Sequence, residues 1–232
     1  MPTFVLRVWL PDRPGALGAV ASRIGAVRGD LVGIDILETG GGRAIDELAV
    51  ELPEERLVPL LVQEVGEVDG VDVEEVRSVD GPLPDPRIDA LETAAALVEK
   101  TDVVDLLEVL TAEAQRDFGA DWAAVVAMED GSAGKSCDVL VSTGEPPEPV
   151  WLAAFLNGSS SSATATSGDA GPDDVAFAMF PAGVIALVLG REGKTFRARE
   201  RRQLLALAKV AGRRWTELTR DVEIDRGSLA AS

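Results

Sequence analysis

Between positions 3 and 79 the apolar residues form an alternating run, a helical run, two more alternating runs, a second helical run and a final alternating run. Few folds accommodate that order in so short a stretch. Phe4, Leu6, Val8 and Leu10 alternate with Val5, Arg7 and Trp9 until Pro11 ends the strand. Leu17, Val20, Ala21, Ile24 and Val27 recur at helical spacing as far as Gly29. Leu31 to Leu37 is almost continuously apolar apart from Asp35, and Gly40-Gly41-Gly42 supplies a hairpin before the next alternating run, Ala44 to Leu52. Val58, Leu61, Val62 and Val65 mark a second helix, with Pro59 tolerable in its first turn. Gly70 then precedes a mixed strand, Val71 to Val76.

This order predicts an α+β domain, the ferredoxin-like βαββαβ plait, with one antiparallel sheet and both helices on the same face. Many unrelated functions use that architecture. The connection after the first strand is more specific. Pro14 fixes φ and Gly15 removes a side chain, so the first backbone N–H groups of the helix are open to a close anion such as a carboxylate. The segment Asp12-Arg13-Pro14-Gly15-Ala16-Leu17-Gly18 resembles the first strand-to-helix connection of the ACT family. Gly29-Asp30-Leu31-Val32-Gly33-Ile34-Asp35 is similar to the ACT segment in front of some bacterial malic enzymes. That resemblance implies a regulatory module whose ligand, usually an amino acid, lies between this turn of one subunit and the second strand of another. It implies a ligand site at Asp12, Arg13, Pro14, Gly15, Ala16, Leu17, Gly18, Asp30, Leu31 and Val32. It also implies a homodimer interface along Leu31, Val32, Gly33, Ile34, Asp35, Ile36 and Leu37. In the plait this second strand is a sheet edge, where an apolar run is an aggregation hazard unless covered. Leu31 stands near where several amino-acid-binding members carry a polar residue. Asp12 or Asp30 would grip an ammonium group; as a plain structural residue, Asp12 caps the turn or the helix.

Asp80-Gly81-Pro82-Leu83-Pro84-Asp85-Pro86 reads as a stiff linker between residues 1–79 and 87–220. Beyond it, Ile88, Leu91, Ala95 and Val98 predict one helix, and Val103, Leu107, Leu110, Ala114 and Phe118 a second, capped by Thr101-Asp102. Strand pairs are expected at 122–128 with 139–141 and at 175–180 with 184–189, separated by a short helix from 149 to 156. The Ser- and Thr-rich stretch around 158–171 reads as a mobile loop, and 221–232 as a flexible tail. A terminal helix carries Leu204, Ala208, Ala211, Trp215 and Leu218 on one face. Its opening, Phe196 to Ala208, resembles the last helix of GAF sensor domains, implying a second α+β domain built on an antiparallel sheet.

Composition removes several chemistries. Histidine is absent, and with it the commonest general base and zinc ligand. The net charge of −18 disfavours nucleic acid and anionic membranes as partners. Residues 191–220 nonetheless hold ten of the 22 Lys and Arg, which would bind nucleotide or nucleic acid, contact an acidic partner, or cover acidic surface elsewhere in the protein, the last being the favoured reading. Gly134-Lys135-Ser136 imitates a phosphate loop, but Glu129 stands where that loop needs glycine. Ser132-Ala133-Gly134-Lys135 matches a serine–lysine catalytic pattern without the helix that chemistry requires. Cys137 lacks an activating base and reads as a small core residue. Adjacent Glu74 and Glu75 would point to opposite faces of a strand. No apolar run reaches about 18 residues and the start lacks a leader pattern, so a cytoplasmic location is expected. The sequence thus predicts a non-catalytic, cofactor-free and metal-free regulatory dimer that senses a small ligand, most simply an amino acid. The alternative is an adaptor that docks a protein partner without such a ligand.

Overall fold

The computed structural model describes residues 1–81, 83, 85–131, 134–160, 172–181 and 183–230. The chain divides into two compact units, Met1–Pro84 and Asp85–Ser232, and the division falls inside the expected linker. Each unit has its own four-stranded antiparallel sheet.

The first unit runs β1 (Thr3–Pro11), α1 (Ala16–Ala26), β2 (Asp30–Gly40), β3 (Arg43–Glu51), a 3-10 turn at Glu55–Leu57, α2 (Val58–Gly66) and β4 (Asp72–Val79). Its strand order is β2-β3-β1-β4, which leaves β2 and β4 as edges. Even-numbered Phe4, Leu6, Val8 and Leu10 of β1 and Ala44, Leu48, Val50 and Leu52 pack with Ala16, Val20 and Ile24 of α1 and Leu61 and Val65 of α2. Both helices therefore cover one face of the sheet, and burying this stripe is the main force closing the unit. A two-residue hairpin joins β2 to β3, with Gly41 and Gly42 at φ of 60° and 79°, the conformation a tight antiparallel turn demands. On the opposite face Arg7 is buried and donates to Glu47 at 2.7 Å.

The second unit contains α3 (Pro86–Val98), α4 (Val103–Asp117), β5 (Trp122–Gly131), β6 (Gly134–Thr143), α5 (Pro149–Ser160), β7 (Val175–Met179), β8 (Ile185–Gly190) and α6 (Ala198–Ala230). The two expected strand pairs merge into one sheet of order β6-β5-β8-β7, because β5 also pairs with β8 from Trp122↔Gly190 to Ala127↔Ile185. One face packs against α4 and α6 through residues such as Leu107, Leu110, Val125, Leu187, Leu204 and Ala208. The other packs against α5 through Leu152, Ala153 and Leu156. Asp102 caps α4, accepting from the Val104 and Asp105 N–H groups at 2.8 and 3.2 Å.

Three places add detail to the sequence pattern. The apolar stripe of α3 faces outward: Ile88, Leu91 and Val98 are exposed, while Thr93 and Leu97 are buried. Thr93 turns inward because its hydroxyl donates to Asp117 at 2.6 Å, which satisfies a polar group inside the unit. Positions 158–160 belong to α5, and the rest of the expected 158–171 loop lies outside the described residues. The backbone of 221–230 continues α6 over most of the expected tail, and positions 231 and 232 lie outside the described residues.

Candidate functional site

Arg13 to Ala16 form a type II turn: the Ala16 N–H donates to the Arg13 carbonyl at 3.3 Å and Gly15 sits at φ 89°, ψ −13°. Proline at the second position and glycine at the third are what that turn requires. Gly15 is also the N-cap residue of α1, whose helical bonding begins with Ala19 N–H to Gly15 carbonyl at 3.0 Å. No side chain caps α1, so Asp12 does not serve as its cap. Instead the Asp12 N–H donates to the Gly42 carbonyl at 2.9 Å and ties the turn to the β2–β3 hairpin. The first-turn N–H groups of α1 are left without a side-chain acceptor, the arrangement that attracts an anion.

The predicted residues do not all meet within one chain. The turn is level with the end of β1, where Pro11 pairs with Arg43 and Arg43 with Gly40. Asp30 lies at the other end, where Glu51 pairs with both Asp30 and Thr3. Eight residues of β1 separate the two levels, roughly 26 Å at the usual strand rise. Asp30, Leu31 and Val32 therefore do not meet Asp12 to Gly18 within one chain.

The predicted edge is also less bare than its composition suggests. Leu31 packs against the first unit's core and Leu37 is buried, whereas Val32, Ile34 and Ile36 are exposed, Ile36 at 54%. Pairing between β2 and β3 shifts register between Leu31 and Gly33 and again between Ile36 and Glu38. Val32 and Leu37 are thus bulge residues that bracket a regular stretch, Gly33 to Ile36. Ile34 and Ile36 pair with Leu48 and Asp46 and share the helix-covered face.

Asp46 was missed in the sequence reading. It lies on β3 between Val8 of β1 and Ile36 of β2, is 3% exposed, and its Oδ1 receives no hydrogen bond among the described residues. Burial, and secondarily the charge of Asp12, raise its carboxyl above the ordinary aspartate value. A signal was present in the sequence: Asp46 takes an inward position in the alternation Ala44, Leu48, Val50 and Leu52, where a carboxylate is rare without a partner.

The other candidates resolve into structure. Cys137 is buried, its Sγ lies 3.1 Å from the Pro149 carbonyl oxygen, and burial followed by the charge of Asp138 raises its thiol pKa. Glu74 accepts from the Trp9 indole at 2.7 Å. Gly134 opens β6, whereas Ser132 and Ala133 lie outside the described residues. The expectation that the 191–220 basic run covers acidic surface needs correction at its three buried members, Arg191, Arg197 and Arg201. Arg191 donates to the Phe118, Lys194 and Thr195 carbonyls and pairs with Glu200 at 2.8 Å. Arg201 reaches the Phe196 and Val175 carbonyls, and Arg214 the Lys100 carbonyl, so these guanidiniums pin backbone inside the second unit. Among the described residues no group of three or more His, Cys, Asp or Glu could hold a metal ion, and no helix is long and apolar enough to cross a membrane.

No protein-family profile matches the chain, and no curated protein does. Solved structures similar to it include a free methionine-R-sulfoxide reductase from Neisseria meningitidis in complex with its substrate, with 20% identity and a TM-score of 0.45, covering 62% of this chain and 98% of that one. The GAF domain of an Acinetobacter phosphoenolpyruvate-protein phosphotransferase is 12% identical with a TM-score of 0.40, covering 60% and 97%. The GAF domain of a sensor histidine kinase from Pseudomonas syringae pv. tomato is 12% identical with a TM-score of 0.37, covering 62% and 92%.

Proposed function

We propose that the chain is a non-catalytic regulatory protein whose first unit is an ACT-type module that senses an amino acid between two copies, and whose second unit is a GAF-like module that receives the signal. The observation carrying this reading is the exposed β2 edge together with the register of β2 against the turn. A two-fold axis through the middle of Gly33–Ile36, the stretch between the two bulges, would pair residues whose numbers sum to 69. Asp30 of the second copy would then face Thr39, beside Gly40, which is level with Pro11 and the turn. Such antiparallel pairing covers Ile34 and Ile36 and assembles the two halves of the site, each from a different copy.

Within that site the chemistry suits a zwitterion. The uncapped first turn of α1 would receive a carboxylate. Asp46, a buried carboxylate without a hydrogen bond to Oδ1, would receive an ammonium group with Asp12 nearby. Calorimetry of the full chain against the common amino acids, with its mass in solution measured in parallel, tests both parts. The expected result is a dimer with one amino acid bound per turn. A folded monomer, or silence from the entire panel, rejects the proposal.

A second reading has its own support. Leu31 is held by the first unit's core and offers no polar group to a ligand, which favours an adaptor that dimerises through β2 and docks a protein partner. It would be preferred if the protein proved dimeric, bound no amino acid, and kept partner binding after Gly15→Leu.

A further inference from the structure

The second unit carries a cleft of about 720 Å³ at one end of its sheet, where the start of β5, the start of β7 and the end of β8 meet the first turn of α5. That is roomy enough for a small organic molecule. Two of its walls are indoles, Trp122 and Trp151. Trp122 lies against the backbone of Gly190, where a Cβ would overlap its ring, so glycine at 190 is what lets the indole lie flat beside the cleft. Trp151 is stacked on Phe155 at 5.4 Å with an interplanar angle of 7°, and Phe155 in turn meets the edge of Phe177 at 5.6 Å. The ring at the mouth is thereby braced from behind and still 40% exposed.

The polar part of the lining has one sign. Asp121, Glu145, Asp174 and Glu192 contribute carboxylates, and Arg191 is the one cation among the described lining residues. Arg191 does not neutralise them: it is 5% exposed, bound to three carbonyls, paired with Glu200, and covers the Phe196 ring at 4.0 Å. Asp121 has a structural task as well, since its Oδ2 accepts the Glu192 N–H at 2.6 Å. Glu145, Asp174 and Glu192 make no ion pair among the described residues. The positive end of α5 adds about half a charge, against four carboxylates.

From this we infer that the cleft between Trp122 and Trp151 binds a small organic cation, of the quaternary or methylated ammonium class. An indole face attracts a cation whose methyl groups also want to leave water, and the carboxylates set the sign without forming a close pair. A phosphate, a nucleotide or a free carboxylate would meet repulsion instead. Nothing in this inference depends on the first unit's ligand or on dimerisation.

The test uses the full chain carrying Trp9→Phe and Trp215→Phe, so that fluorescence reports only the two indoles of the cleft. Choline is titrated beside its uncharged isostere 3,3-dimethylbutan-1-ol and beside acetate. Choline should give a saturable change at millimolar concentration or below, the alcohol should bind at least about tenfold more weakly, and acetate should give none. Glu145→Gln with Asp174→Asn, two half-buried or exposed positions, should weaken choline about three- to tenfold while leaving the alcohol and the unfolding midpoint unchanged. Equal binding of choline and the alcohol, no saturable change up to about 50 mM, or an unaltered choline titration in the double variant overturns the assignment.

Discussion

Replacing Asp46 separates stability from ligand recognition. The side chain is 3% exposed and its Oδ1 receives no hydrogen bond among the described residues, so in the ligand-free protein it opposes folding. Leaving one buried acceptor unsatisfied costs about 1–3 kcal/mol, and more when the group is charged. Its carboxyl is raised by burial first and by Asp12 second. A raised folded-state value means that folding takes up a proton: the group does no harm below the unfolded aspartate value, and stability is lost as pH rises through the folded one. Asp46→Val, in a strand and between Val8 and Ile36, should therefore stabilise the first unit by about 1–3 kcal/mol at pH 7, and the gain should shrink toward pH 3. Asp46→Asn removes the charge but keeps a polar amide and should fall between the two. Hydrogen exchange of the β1 and β3 amides reads this unit apart from the other. Amino-acid binding should be lost in both variants. A gain that does not vary between pH 3 and 7, or a valine variant less stable than the parent, would refute the reasoning. Retained amino-acid binding would remove Asp46 from the site.

Gly15→Ala should destabilise the first unit by about 1–2 kcal/mol in urea titration through backbone conformation alone, because φ is 89° and a Cβ there meets nothing within 4 Å. An unchanged midpoint would show that the turn relaxes. Gly212→Ala sets a helix-propensity gain of about 1 kcal/mol against a Cβ placed 2.5 Å from Pro181 Cδ and 3.0 Å from Phe180. Steric overlap should win, lowering the second unit's melting temperature, and a rise would contradict the packing of α6 on the sheet. Cys137 should react with a thiol reagent at pH 7 far more slowly than in urea-unfolded protein, since burial raises its pKa; equal rates would contradict its burial.

The elements of the first unit were legible because each announces its period locally, and the Pro14-Gly15 pair announces its own turn. Pairing between distant strands carries no such local mark, so the contact of β5 with β8 could not be read from Trp122 to Ala127 and Ile185 to Gly190 taken separately. Periodicity also reports that a helix has an apolar stripe without saying whether the protein buries it, which is why Ile88, Leu91 and Val98 marked the helix but not that they are exposed while Thr93 is buried. The turn half of the candidate site was visible in sequence. Asp46 was overlooked because an acid within an alternating run is easily taken for one of its polar positions until the strand partners fix its face. The two indoles of the cleft lie 29 positions apart on different elements, and only the fold brings them to one opening.

The strand order of the first unit also bears on how the chain is made. With β1 between β3 and β4, the sheet has all its strands once β4 has been made, before the second unit follows in the chain. Val32, Ile34 and Ile36 are thus presented at an open edge throughout the birth of the second unit. The bulges at Val32 and Leu37 leave four regularly paired residues, Gly33 to Ile36, between them, a spacing that a second copy of β2 with the same two bulges would match and an unrelated stray strand would not.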